Sequence, residues 1–206
     1  MCLVCLVAIC CALRPGALFA QQGFMTAVIN APSDRPSHFR RDTAAHAEEV
    51  RHVMAYLRKE ANITLWLVGH SAGSTSVANA AINLRDAGPG GIVLISSENG
   101  KPDPRSGNLD GLNIEEITVP ALMVHHTQDA CEYTLYRNAQ RLTGRLKKVI
   151  KSELIPFTGG GPVGGDACGS LNHHGFPGIE HVVAYRIGDW IKKTSFESAP
   201  GVPVGG

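Results

Sequence analysis

Ile63 to Ser74 reads Ile-Thr-Leu-Trp-Leu-Val-Gly-His-Ser-Ala-Gly-Ser. Its first six residues form an apolar, β-rich run bounded by turn residues, which predicts a strand buried on both faces. Gly69-His70-Ser71-Ala72-Gly73 then makes a turn, and beyond it Val77, Ala80, Ala81 and Leu84 recur at helical spacing. A bare G-x-S-x-G more often marks an ordinary Gly-flanked turn. A buried strand before it and a helix after it make it a nucleophile elbow. Ser71 must then sit in a sharp, strained turn with its hydroxyl exposed, and Gly69 and Gly73 remove the Cβ atoms that would clash there. The backbone N–H of Ala72 opens the helix and can face a developing oxyanion.

The rest of the chain gives this element a single α/β domain to sit in. There are 206 residues, enough for a sizeable core, with 44% hydrophobic and 18% charged side chains. A formal net charge of +1 gives no pull toward nucleic acid or an anionic membrane surface. Cys2, Cys5, Cys10 and Cys11 crowd the N-terminus, without the histidines or paired CxxC units of a zinc site. Cys131 and Cys168 stand far apart in the body.

Met1 to Leu13 is apolar throughout and too short to span a bilayer. It reads as the h-region of a signal peptide with cleavage before Gln21, as a buried strand, or as a stretch outside the fold. We take it to join the fold as a strand or short helix. Ala17 to Gly23 reads as a helix end, and Phe24 to Asn30 as a strand. Asp42 or Thr43 caps a helix running to about Ala61. After the elbow helix, Ile92 to Ile95 is another buried strand, and Ser96 to Asn113 is a polar loop that either shapes a binding site or merely connects. Pro120 to Val124 is a strand leading into His125-His126-Thr127-Gln128-Asp129. A helix from about Tyr133 to Leu142, an outer strand over Lys148 to Pro156, a glycine-rich loop over Thr158 to Gly169 and a helix over Ile179 to Lys193 complete the pattern. The glycine-rich loop lacks the Lys-Ser/Thr pair of a phosphate-binding loop. Strands alternating with helices predict an α/β fold with a mostly parallel sheet and helices on both faces. The expected division is an apolar segment at 1–16, one domain at 17–194 and a flexible tail at 195–206.

A serine hydroxyl is a poor nucleophile without a base, and the base needs an orienting acid. Ser71, Asp129 and the His173-His174 pair each follow a predicted strand, in the order Ser, Asp, His. Asp129 also suits a helix N-terminus, and either histidine suits a loop or cap. A metal site from His125, His126, Asp129, His173 and His174 is the weaker reading, because adjacent strand residues face opposite sides.

At these residues the chain resembles the α/β-hydrolase superfamily, and small bacterial serine hydrolases within it. The matching stretches are Ala31 to Asp34, Leu67 to Asn79, Val124 to Cys131 and His174 to Ile191. The resemblance implies a triad of Ser71, Asp129 and His174, since His174 directly precedes Gly175-Phe176. It also implies further strands before Phe24, one lying between the Phe24–Asn30 and Ile63–Val68 strands and followed by a loop that gives the second oxyanion donor. In this chain only Met1 to Pro15 stands there, so the fold reads as N-terminally shortened. If Asp129 meets His174, their loops come together and a Cys131–Cys168 disulfide becomes possible.

The expected activity is hydrolysis of an ester or similar acyl bond in a small molecule, with no cofactor and no metal. The alternative is a truncated or non-catalytic homologue that binds a small ligand without turnover. The signal-like start favours a periplasmic or secreted setting, the oxidising compartment that the disulfide requires.

Overall fold

Three central strands alternate their side chains between two cores. Leu65, Leu67, Ile92, Leu94, Ala121 and Met123 enter one core, while Trp66, Val68, Val93, Ile95, Leu122 and Val124 enter the other. Such period-two burial on both faces requires helices on both sides of the sheet. The computed structural model describes residues 4–9, 15–29, 40–103 and 106–197. Its strands are β1 Val4–Ile9, β2 Met25–Ile29, β3 Thr64–His70, β4 Gly91–Ile95, β5 Ala121–His126 and β6 Ser152–Phe157. They form one six-stranded sheet in the order β2-β1-β3-β4-β5-β6, with every neighbouring pair parallel.

The helices are α1 Pro15–Ala20, α2 Ala44–Glu60, α3 Ala72–Leu84, α4 Tyr136–Thr143 and α5 Glu180–Glu197. Met54 of α2, Val77 and Leu84 of α3 and Leu142 of α4 cover the first face. Phe19 of α1 and Val183, Ile187, Trp190 and Ile191 of α5 cover the second.

Val4–Ile9 is a strand inside the sheet, paired with β2 on one side and β3 on the other. It stands between β2 and β3, the place where the resemblance implies a strand and where only Met1 to Pro15 was left to supply one. The chain leaves β1 for β2 in one direction and β3 in the other, so the order reverses at β1 and β3. In open parallel sheets, ligands bind beyond the carboxyl ends of the strands at such a reversal. Ser71 directly follows β3, which puts the elbow there. The expected second oxyanion donor after β1, the Ala31–Asp34 stretch and the cysteines at 10 and 11 lie outside the described residues.

Several element boundaries differ from the sequence reading, and the outer strand β6 begins at Ser152 rather than Lys148. Strand β5 continues through both histidines to His126. Helix α4 starts at Tyr136, because the residues before it close a turn in which Thr134 N–H donates to the Cys131 carbonyl at 3.0 Å. Helix α5 reaches Glu197, and Ser195, expected in the tail, accepts a hydrogen bond from Trp66 Nε1 at 3.1 Å. Thr43 caps α2 as expected, accepting from the His46 N–H at 3.2 Å.

Candidate active site

The elbow is built by close approach of backbone. A Cβ on Gly69 would stand 2.2 Å from the Gly73 carbonyl oxygen, so only glycine lets β3 turn straight into α3. Ser71 at the corner has φ 52° and ψ −123°, a conformation that costs an L-residue about 1–3 kcal/mol. Three hydrogen bonds hold it there. Its N–H donates to the Ile95 carbonyl at 3.0 Å, and its own carbonyl accepts from Ser74 N–H at 2.8 Å and Ser74 Oγ at 2.6 Å. Its side chain makes no capping hydrogen bond.

The polar residues after the elbow have jobs of their own. Asn79 donates to the carbonyls of Arg41 and Thr43, tying α3 to the start of α2. Thr75 and Ser106 donate to the two oxygens of Glu98, a buried carboxyl after β4. Ser76 Oγ lies 2.8 Å from His46 Nε2, and His46 Nδ1 lies 3.0 Å from Glu49. This second Ser-His-Glu chain has triad-like connectivity, but Ser76 is fully buried and offers a substrate nothing to reach.

Asp129 and His174 meet, as the resemblance implied. His174 Nδ1 stands 3.1 Å from Asp129 Oδ2. The other carboxylate oxygen accepts from the Cys131 N–H at 3.0 Å. Thr134 Oγ1, which the sequence reading did not single out, donates to Asp129 Oδ2 at 2.8 Å and lies 3.1 Å from His174 Nδ1. A carboxylate on Nδ1 fixes the tautomer and leaves Nε2 as the basic nitrogen.

His173 does not compete for this place. Its ring stacks on His126 at 4.1 Å between centroids. Both neighbours lie in the turn His173–Gly175, which sends one ring to His126 and the other to Asp129. A Cβ on Gly175 would meet the Ser170 carbonyl at 2.3 Å, and Phe176 is buried against Phe157 and His126. The His-Gly-Phe stretch is thus an anchor that fixes which histidine turns inward. The other pair also diverges: His125 Nε2 accepts from Ser97 N–H at 2.8 Å, whereas His126 Nε2 faces the Gly159 carbonyl at 2.9 Å.

Ser71 lies beside this pair through its neighbour. The His70 ring packs against the His174 ring at 4.7 Å. No hydrogen bond joins Ser71 Oγ to His174 among the described residues. Such bonds are often loose before substrate binds. A cleft of about 610 Å³ opens over Ser71 and Ala72. Its walls come from Glu98 and Asp103 after β4, Ala130 to Tyr133 after β5, and Asp166 to Cys168 of the glycine-rich loop. The polar loop after β4 therefore shapes a cavity as well as connecting strands. Cys131 and Cys168 are joined by a disulfide, with Cα atoms 4.6 Å apart.

Burial sets the electrostatics of the surrounding groups. It pushes His70 down to about 3, helped by the adjacent His174, and His125 down to about 4 against the pull of Asp129. Burial pushes Glu98 up, against the hydrogen bonds from Ser106 and Thr75. Asp129 is opposed by burial too, but the His174 hydrogen bond and charge, the Cys131 N–H and Thr134 outweigh it and hold its carboxyl below the usual range.

These shifts give an acid-stability expectation. Between about 6.5 and the folded values, the unfolded chain protonates both histidines and the folded chain does not. Their contribution is complete above about 6.5 and is lost as pH falls, with each slope approaching about 1.4 kcal/mol per pH unit. Asp129 adds the same sign below about 3.9, while Glu98, raised, has the opposite sign above about 4.3. Thermal melts from pH 7 to pH 4 should show a falling Tm. A Tm that is flat or rises across that range would contradict the burial of these histidines.

The chain matches no protein-family model and no curated protein sequence. It is similar in structure to an α/β serine hydrolase without a lid from Xanthomonas campestris, with 14% identity and TM-score 0.59 over 97% of this chain and 84% of that one. It is similar to a dienelactone hydrolase from Anabaena variabilis, with 18% identity and TM-score 0.63 over 94% and 87%. A monoacylglycerol lipase from Paleococcus ferrophilus gives 17% identity and TM-score 0.63 over 93% and 94%. The chain has the α/β-hydrolase fold. No helix among the described residues is long and apolar enough to cross a membrane.

Proposed function

We propose that the protein is a serine hydrolase that cleaves an ester or similar acyl bond in a small molecule. The observation that carries this reading is the Asp129–His174 hydrogen bond, packed against the residue that precedes a strained, cleft-facing Ser71. Ser71 Oγ attacks the acyl carbonyl and its proton passes to His174 Nε2. Asp129 holds the imidazole and stabilises the imidazolium. The Ala72 N–H, at the first position of α3, faces the oxyanion of the tetrahedral intermediate. His174 returns the proton to the leaving alcohol, and an acyl-Ser71 ester remains. Water then attacks that ester and gives a proton to His174, which passes it to Ser71 Oγ as the carboxylic acid leaves. No cofactor takes part in these steps.

The disulfide supports a periplasmic or secreted setting, since thiols stay reduced in most cytosols. The similar proteins include hydrolases of small acyl compounds by name, which supports the substrate class.

Single alanine substitutions test the assignment. His174→Ala should lower kcat on a short-chain p-nitrophenyl ester by about 10³-fold or more, with His173→Ala retaining most activity. The reverse pattern would move the base to His173. A folded wild-type chain that binds the ester without turnover would favour the non-catalytic reading.

A further inference from the structure

We propose that His70 and Ser96 are positioning residues for His174, holding its main-chain carbonyl so that the imidazole is aimed at Ser71; this rests on the hydrolase reading of the same site. His70 directly precedes the elbow serine and is the last residue of β3. By the alternation of β3 it points to the same side as Trp66 and Val68, where the His174 turn lies. His70 Nε2 is 2.9 Å from the His174 carbonyl oxygen. A carbonyl only accepts, so His70 carries its proton on Nε2. Ser96 Oγ donates to the same oxygen at 3.0 Å from the end of β4. Ser96 is itself anchored, since its N–H donates to the Val124 carbonyl at 2.9 Å.

Two donors from adjacent strands therefore converge on one carbonyl, 104 and 78 residues away in sequence. His174 sits at the end of a long glycine-rich loop, and among the described residues its side chain is hydrogen-bonded at Nδ1, by Asp129 and Thr134. With the carbonyl held as well, the backbone and the ring are both located, and Nε2 is left to face the elbow. The His70 ring also packs edge-on against His174. Its burial keeps it neutral, so it donates without placing a second positive charge beside the imidazolium that forms during turnover. The charged and titratable groups near it are His174, Asp129 and His125. Both His70 and Ser96 are too buried to touch substrate.

The test compares His70→Phe, which keeps a ring and loses the donor, with His70→Gln, which restores an N–H at similar reach, and with Ser96→Ala. Rates are referred to folded protein, with kcat and KM read on a short-chain p-nitrophenyl ester. The His174 Nδ1–H proton resonance is followed by NMR in the same samples. His70→Phe should lower kcat by about 10- to 100-fold with KM nearly unchanged, since a base displaced by about 1 Å loses that order of rate. His70→Gln should recover most of it, and Ser96→Ala should give a smaller loss. The His174 resonance should shift or broaden in the Phe variant and return in the Gln variant. Unchanged kcat and an unchanged resonance in His70→Phe would overturn the proposal. If that variant does not fold, the same two results in Ser96→Ala would overturn it. The resonance needs no turnover, so an inactive wild type would refute the hydrolase reading while the positioning claim is still decided by NMR.

Discussion

Ser71→Ala is expected to abolish hydrolysis of a short-chain p-nitrophenyl ester while the fold stays intact. Loss of a serine nucleophile removes the acyl-enzyme route altogether, and the residual rate should lie at least about 10³-fold below wild type. Stability should change little. The Ser71 side chain makes no capping hydrogen bond, so its removal leaves no buried partner stranded. Alanine also keeps a Cβ at φ 52°, so the backbone strain of the corner is neither added to nor released. Tm and kcat measured on one preparation check both halves. Wild-type turnover in the variant would remove Ser71 from the mechanism, and collapse of Tm would make it a structural residue.

Loss of the Cys131–Cys168 bridge is the second large effect expected. The bridge closes 37 residues, which in the chain-entropy model contributes about 3–4 kcal/mol. For a chain of this size that corresponds to a fall in Tm on the order of 10 °C. Activity should fall as well, because the bridge ties together the loops that carry the acid and the base. Cys131 donates its N–H to Asp129, and Cys168 lies in the glycine-rich loop that leads to His174. That loop has positive-φ glycines at 159, 160, 161 and 165, and the bridge adds a covalent tie to backbone bonds such as Gly161 N–H to the Pro177 carbonyl and Gly164 N–H to the Leu171 carbonyl. Once the bridge opens, the base must be ordered during turnover, which costs rate. The double variant Cys131→Ser/Cys168→Ser, and wild type with reductant, should lose stability and kcat together. Unchanged Tm and kcat in protein whose two thiols alkylate fully would contradict this.

What the sequence revealed was set locally. The elbow was readable because its glycines, its buried strand and its helix are contiguous, and the structure gives Gly69 a direct steric reason and the strand and helix a packing one. The order of loops after parallel strands narrowed the base to the His173-His174 pair, the resemblance at His174-Gly175-Phe176 chose His174 to meet Asp129, and the disulfide was read from that meeting. The N-terminus was ambiguous because a short, uniformly apolar run satisfies a central strand and a signal-like segment equally well. Only its pairing with β2 and β3 shows it in the sheet. Thr134, Ser96 and the role of His70 were illegible for another reason. Their contacts with Asp129 and His174 are made across space between loops, and no spacing rule along the chain foretells them. The early start predicted for α4 failed because Cys131 and Thr134 turn around the acid before the helix begins.

Labelling with a fluorophosphonate, followed by mass mapping of the adduct, asks directly whether the elbow serine is activated. Phosphonylation requires a serine whose proton is taken by a base, with an oxyanion site to receive the reagent. One adduct on Ser71 in folded wild-type protein, absent in His174→Ala, is the expected result. Folded protein that takes no label, or carries it on a residue other than Ser71, would contradict the assignment.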